Sequence, residues 1–148
     1  MSAEGKPSIT IRTTGGLFLL SALLELVSVG SPVTLLGAER AGAAAAVYHL
    51  AYTALFAVIG AGLWGARRWG ARAFYAGGLV YTVDKLLSLW DRDAFEVSLR
   101  SQLGGYADLL QAVPSDLLFR VAIVSNALFV LSWWGFALYL YRRRNGLR

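Results

Sequence analysis

The stretch AAAAVYHLAYTALFAVIGAGLWG, residues 43–65, decides the fold class of this chain. It contains no aspartate, glutamate, lysine or arginine, and apolar side chains fill most of its length. An α-helix rises about 1.5 Å per residue, so roughly 20 apolar residues cross the hydrocarbon core of a bilayer. The stretch therefore predicts a helix that spans a membrane.

Three further segments are apolar over a similar length, namely residues 15–38, 71–90 and 117–141. Of the 148 residues, 57% are hydrophobic and 16% are charged, whereas about a quarter of a soluble domain is charged. Four spans in so short a chain leave little sequence for a water-exposed exterior. We therefore expect a single domain, residues 1–148, of the all-α class: an integral four-helix transmembrane bundle in the cell membrane.

The composition excludes several kinds of site. The chain has no cysteine, which excludes disulfides, iron–sulfur ligation and thiol nucleophiles, and its single histidine excludes a histidine-rich metal centre. We therefore expect no metal site. The net charge of +5 comes from basic residues at the ends of apolar segments. Such residues are topology signals rather than a surface for nucleic acid, so no nucleic-acid partner is expected.

Most lysines and arginines fall on one side of the predicted topology. Because cytoplasmic loops carry an excess of lysine and arginine, this side is assigned to the cytoplasm, together with the N- and C-termini. The basic residues on this side are Lys6, Arg12, Arg67, Arg68, Arg72, Arg142, Arg143, Arg144 and Arg148.

The third loop, residues 91–116, is long and faces the outer side in this topology. Its apolar residues recur at intervals of three and four, which predicts an amphipathic helix on the outer membrane surface, broken near Gly104-Gly105. Two interpretations stay open: a spacer between two spans, or a lid over a cavity that opens outward. The apolar residues are Phe95, Leu99, Leu103, Tyr106, Leu110 and Val113.

Each predicted span carries polar groups along one helical face. An ionisable group in hydrocarbon costs roughly 2.5–3.5 kcal/mol on insertion scales, so it normally faces the bundle interior. If the four polar faces meet, they form a polar centre in the outer half of the bundle, with Arg120 near its mouth. The candidate ligand- or proton-binding residues are Glu25, His49, Tyr52, Tyr81, Asp84, Arg120 and Asn126.

Asp84 and Lys85 are neighbours in the sequence but point about 100° apart on a helix. We expect Lys85 to extend its stem toward the outer headgroups as an anchor. Asp84 must be protonated or paired, and its candidate partners are His49, Lys85 and Arg120. The alternative for all these polar groups is structural, because intramembrane hydrogen bonds also hold helices together.

The inner hairpin AGLWGARRWGARAFYAGG, residues 61–78, has a glycine-rich span end, then Trp64, the Arg67-Arg68-Trp69 turn and a return span. It resembles the short basic turn of small bacterial four-helix membrane proteins, which include DoxX-like and uncharacterised families. The resemblance implies the four-helix plan and an association with membrane redox chemistry. No redox motif matches residue by residue, so the resemblance assigns no site and no cofactor.

Three functions remain open. In the first, the polar centre binds or passes a proton, an ion or a small amphipathic molecule such as a quinone or lipid. In the second, the chain is an accessory subunit of a larger membrane complex. In the third, it is an intramembrane acid–base enzyme that acts on a lipid-phase substrate. A four-helix unit has little interior, which favours a homo-oligomer or a larger complex. The sequence contains no Walker loop, nucleophile elbow or HExxH motif, so hydrolysis of nucleotides or peptides has no support.

Overall fold

A computed structural model describes residues 8–35, 38–89, 92, 114–144 and 147 of the chain. The elements in chain order are helix α1 (Ile9–Val27), strands β1 (Val33–Leu35) and β2 (Ala38–Arg40), and helices α2 (Ala43–Trp64), α3 (Arg68–Ser88) and α4 (Ser115–Arg142). Consecutive helices are neighbours, since α1 packs on α2, α2 on α3 and α3 on α4.

Three of these helices, α1, α2 and α4, are long and apolar enough to cross a membrane. Their apolar side chains largely face outward: Leu17, Leu24 and Leu128 are 59%, 61% and 59% exposed. Soluble proteins rarely expose apolar surface on this scale, because exposed apolar surface does not gain the favourable free energy of removal from water. The chain is therefore a membrane protein, as its composition predicts.

The first predicted span needs a correction. The segment 15–38 was expected to be helical throughout, but α1 begins at Ile9 and ends at Val27. Pro32 lacks a backbone N–H, and with Gly30 it disfavours continuation of the helix. The chain then forms two three-residue strands, paired antiparallel with Val33 opposite Arg40 and Leu35 opposite Ala38.

The other helices lie close to their predicted segments. Helix α2 has nearly the predicted bounds, α3 begins three residues earlier than 71, and α4 covers all of 117–141. Apart from residues 92 and 114–116, the third loop, with its predicted amphipathic helix, lies outside the described residues.

The two ends of the protein differ in chemistry. At one end the α2–α3 turn and the end of α4 bring together Arg67, Arg68, Arg72 and residues 142–144; we call this the arginine end. The opposite end carries strands β1 and β2, and we call it the hairpin end. Helices α1 and α3 run from the arginine end to the hairpin end, and α2 and α4 run back.

The α2–α3 turn at the arginine end is tight. Gly62 of α2 and Gly70 of α3 lie against each other, so that a Cβ atom on either would overlap the backbone of the other. Between them Ala66 has a positive φ of 51°, which a non-glycine residue rarely adopts. The two glycines therefore let the helices approach closely enough for a short connection.

Aromatic side chains fill the middle of the protein. The ring of Phe18 lies 5.6 Å from Phe56, 5.6 Å from Phe74 and 5.2 Å from Trp133 in edge-to-face geometry. Trp133 also donates its indole N–H to the Phe74 carbonyl at 3.1 Å. Helix α4 thus joins the other helices through its half nearer the arginine end. Between residues 116 and 132, none of its described side chains is buried.

Candidate functional site

Three helices bring ionisable groups together at the hairpin end. Helix α1 ends there, α2 begins there and α3 ends there, because consecutive helices run in opposite directions. We call the resulting group the polar cluster; its members are Glu25 of α1, Tyr48, His49 and Tyr52 of α2, and Asp84 and Lys85 of α3.

The first part of the polar cluster is a histidine–glutamate contact. His49 Nδ1 lies 2.7 Å from Glu25 Oε2, and His49 Nε2 lies 3.2 Å from the Ser31 carbonyl oxygen. A carbonyl oxygen can only accept, so Nε2 must carry a proton. The Nδ1–Oε2 contact then holds a second proton, either on the imidazole beside a carboxylate or on the carboxyl beside a neutral imidazole.

Both protonation patterns give the same total charge for the pair. His49 is only 7% exposed, whereas the Glu25 side chain is 27% exposed. Moving the proton between the two atoms therefore leaves the net charge of the protein interior unchanged, and Glu25 is the more exposed member of the pair. This arrangement is suited to taking up or releasing a proton.

The second part of the polar cluster surrounds Asp84, which is 8% exposed. Its Oδ2 atom accepts hydrogen bonds from the Tyr48 hydroxyl at 2.9 Å and the Tyr52 hydroxyl at 3.1 Å. Lys85 Nζ lies 3.3 Å from the same oxygen. Three donors are thus directed at one oxygen, so the buried Asp84 is paired, as a carboxyl group at this position must be unless it is protonated.

This geometry corrects the expectation for Lys85. Its side chain was expected to extend to the headgroups as an anchor, yet it folds back to the carboxylate of its neighbour and is 28% exposed. Its Nζ atom also lies 5.4 Å from the centre of the Tyr81 ring. The long flexible stem overcomes the angle of about 100° between adjacent helical positions.

Tyr48 connects the two parts of the polar cluster. Its ring lies 5.8 Å from that of His49 and 4.6 Å from that of Tyr52. The sequence interpretation missed Tyr48, although its spacing of four residues from Tyr52 places both hydroxyls on one helical face. On the same helix, the buried Thr53 Oγ1 has no hydrogen-bond partner among the described residues.

The structure leaves two of the predicted site residues apart from the polar cluster. Asn126 Nδ2 donates to the Ala122 carbonyl of its own helix at 2.9 Å. Arg120 is exposed on α4, and the described contacts of Glu25, His49 and Asp84 include neither residue. Among the described residues, the polar centre is thus built by three helices rather than four.

Tyr81 borders the polar cluster without a described hydrogen bond to it. Its ring stacks on Trp133 at 5.1 Å with an interplanar angle of 18°, and the ammonium group of Lys85 lies 5.4 Å from the centre of the ring. Tyr81 therefore links the aromatic middle of the protein to the ionisable groups.

The α1–α2 connection covers the polar cluster at the hairpin end. Ser31, just before β1, supplies the carbonyl that binds His49, and strand β1 contacts α3. The sequence interpretation assigned this covering role to the third loop as a lid, and that loop lies outside the described residues. The cover seen here is formed by a segment that was expected to be helical.

Among the described residues, no group of three or more histidine, aspartate or glutamate side chains could hold a metal ion. No protein family, curated protein or solved structure matches this chain. The resemblance of the inner hairpin to DoxX-like proteins stays a prediction, and the function must be argued from the geometry of the chain itself.

Proposed function

We propose that the protein spans the cell membrane four times and that its polar cluster binds a proton together with a small amphipathic molecule such as a quinone or lipid. The observation that carries the proposal is the 2.7 Å contact of His49 Nδ1 with Glu25 Oε2, which joins a buried imidazole to a partly exposed carboxyl group and is short enough for the two to share one proton.

Helix α3 serves as the fourth span in this proposal. It has 21 residues, which corresponds to a length of about 31 Å. Its middle, residues 73–83, carries no charge. Asp84 and Lys85 neutralise each other at the hairpin end, which lowers the cost of placing them at membrane depth.

The chemistry of the polar cluster supports a ligand with a hydrogen-bonding head and an apolar body. The unpaired Thr53 hydroxyl offers a polar contact beside His49 and Tyr52, and an unsatisfied buried hydroxyl costs about 1–3 kcal/mol until it finds a partner. A ligand hydroxyl or carbonyl group would supply that partner, while the lipid-facing helices accommodate its apolar part.

Proton exchange is tested on His49 directly, because it is the only histidine in the chain. We expect the ¹⁵N signals of the His49 ring at neutral pH, in bilayers and without a polyhistidine tag, to differ between wild type and Glu25→Gln. The matched control is Asp116→Asn, which neutralises an exposed carboxylate that pairs with Arg92 and has no described contact with the polar cluster. Identical His49 ring signals in wild type and Glu25→Gln would reject the shared proton.

Ligand binding needs a separate test. A soluble quinone analogue added to the same sample should shift the His49 signals of wild type and of Asp116→Asn. Substitution Thr53→Val should weaken the binding, because it removes the unpaired hydroxyl and keeps the branched shape. Unchanged affinity in Thr53→Val would count against this ligand position while leaving the shared proton intact.

The proposed topology places both termini in the cytoplasm and the hairpin end outside. Since the chain has no cysteine, Gly30→Cys and Arg143→Cys each create a unique thiol. A Cβ atom at Gly30 meets nothing within 4 Å, so this substitution fits the structure. A membrane-impermeant thiol reagent should label Gly30→Cys in intact cells and Arg143→Cys only after permeabilisation. The reverse pattern would contradict the topology.

A second candidate function, an accessory subunit or homo-oligomer, is favoured by α4. Its half nearer the hairpin end exposes Val121, Val124, Leu128 and Leu131, which share one helical face. Such a helix can contact a neighbouring chain as readily as lipid. Cross-linking through Leu128→Cys in native membranes should join two chains if it is a subunit contact. The acid–base enzyme remains a prediction that rests on the same Glu25 and His49.

A further inference from the structure

A second site lies at the arginine end, far from the polar cluster. A cavity of about 440 Å³ opens there between the first turns of α3, the end of α4 and Leu147. Helix α3 contributes residues at positions i, i+4 and i+7, which share one helical face. The residues that line the cavity include Arg68, Arg72, Tyr75, Tyr141, Arg144 and Leu147.

The lining of this cavity has one sign of charge. Three guanidinium groups and two phenol rings surround it, and none of the lining residues in the described part of the chain is aspartate or glutamate. Guanidinium groups bind the oxygens of phosphate in pairs through their planar fork. Helix α3 begins at Arg68, so the positive end of its dipole adds to the attraction for an anion.

Contacts within the protein position two sides of the cavity. Arg68 donates its Nε–H to the Leu147 carbonyl at 3.2 Å, and the Leu147 side chain is only 4% exposed. The guanidinium of Arg144 lies 4.6 Å from the centre of the Tyr141 ring. Leu147, beyond the end of α4, is thus held against α3. Contacts within the protein fix Arg68 and Arg144, two of the three arginines that line the cavity.

We propose that this cavity binds an anionic phosphate group, carried either by a lipid headgroup or by a small soluble molecule. Basic pockets between transmembrane helices on the cytoplasmic side are suited to anionic headgroups. Binding of phosphate follows from the lining itself, and it depends neither on the polar cluster nor on the direction in which the chain crosses the membrane.

The chain offers a matched control for the general attraction between basic residues and anionic membranes. Arg67 and Arg143 are neighbours of the cavity arginines in sequence but do not line the cavity. The double variant Arg72→Gln/Arg144→Gln removes two charges from the cavity, and Arg67→Gln/Arg143→Gln removes two charges beside it. Arg68 stays unchanged because it holds Leu147 in place.

The test measures binding of phosphatidylglycerol to the detergent-purified full chain by native mass spectrometry, with phosphatidylcholine as the zwitterionic comparison and inorganic phosphate as competitor. A hydrogen bond to a charged group contributes about 1.5–3 kcal/mol, so the cavity variant should bind at least about tenfold more weakly. The control variant should change by less than about threefold, as expected for exposed charges.

The outcomes separate the sources of the phosphate group. Phosphatidylglycerol that inorganic phosphate does not displace identifies a lipid headgroup, and displacement at millimolar phosphate identifies a soluble ligand. Equal losses in the two double variants, or no binding of either probe to wild type, would overturn the proposal. Should the cavity double variant fail to fold, the single pair Arg72→Gln and Arg67→Gln makes the same comparison, because both side chains are exposed.

Discussion

Replacing Tyr52 by phenylalanine tests the structure of the polar cluster most directly. Tyr52 is 8% exposed, and its hydroxyl donates to Asp84 Oδ2 at 3.1 Å. A hydrogen bond to a charged acceptor contributes about 1.5–3 kcal/mol to the free energy of unfolding. Asp84 keeps Tyr48 and Lys85 as partners, so we expect a loss near the lower limit, about 1.5 kcal/mol.

The assay is thermal unfolding of the purified protein in detergent, followed by tryptophan fluorescence. In a chain of this size about 1 kcal/mol corresponds to 2–4 °C, so Tyr52→Phe should lower Tm by roughly 3–6 °C. Tyr141→Phe is the matched control, since Tyr141 is 55% exposed at the other end of the protein. Its Tm should change by less than about 2 °C, as for most exposed substitutions.

A double-mutant cycle attributes the loss to the contact itself. In an Asp84→Asn background the Tyr52 hydroxyl meets a neutral acceptor, and its hydrogen bond is then worth only about 0.5–1.5 kcal/mol. Tyr52→Phe should therefore cost less in that background than in wild type. Equal costs in the two backgrounds, or a Tm of Tyr52→Phe matching that of Tyr141→Phe, would refute the convergence of donors on Asp84.

Two further predictions concern packing at the arginine end and in the middle of the protein. Gly62→Ala should lower Tm markedly or prevent assembly, since the added Cβ overlaps the Gly70 backbone. In the same Tm assay the control Gly135→Ala, whose Cβ would meet nothing within 4 Å, should be neutral or stabilise by up to about 1 kcal/mol. Equal shifts in Tm would contradict the close helix contact. Trp133→Phe keeps an aromatic ring but leaves the Phe74 carbonyl without its indole donor. We therefore expect the free energy of unfolding to fall by about 1–2 kcal/mol and amide hydrogen exchange along α3 to become faster. Unchanged exchange would contradict a role of Trp133 in docking α4.

The helices could be placed from the sequence because a segment that crosses the hydrocarbon core of a membrane must be predominantly apolar. Helix α2 follows its apolar segment almost residue by residue. The same criterion failed after Val27, because Val33–Leu35 is as apolar as the helix before it but pairs with Ala38–Arg40 as a β-strand. Hydropathy measures the solvent that a segment prefers, and it does not report whether the backbone hydrogen bonds run along a helix or between strands.

The polar cluster could be predicted in part from helical spacing. The face of His49 and Tyr52 and the face of Asp84 are visible as polar positions in apolar segments. The pairing of His49 with Glu25 was not deduced, because it depends on where α1 ends and how the chain turns at Ser31. Asn126 was placed in the same centre, yet it bonds within α4. Spacing defines a helical face, and the relative rotation of two helices decides which faces meet.

The limited attachment of α4 has a consequence for biogenesis. Helix α4 follows α1, α2 and α3 in the chain and so leaves the ribosome after them, and none of its described side chains between residues 116 and 132 is buried. The polar cluster lies wholly in α1, α2 and α3. During synthesis, the ion pairs and hydrogen bonds of the cluster can therefore form before α4 is inserted, and the late helix docks on a unit whose buried charges are already neutralised.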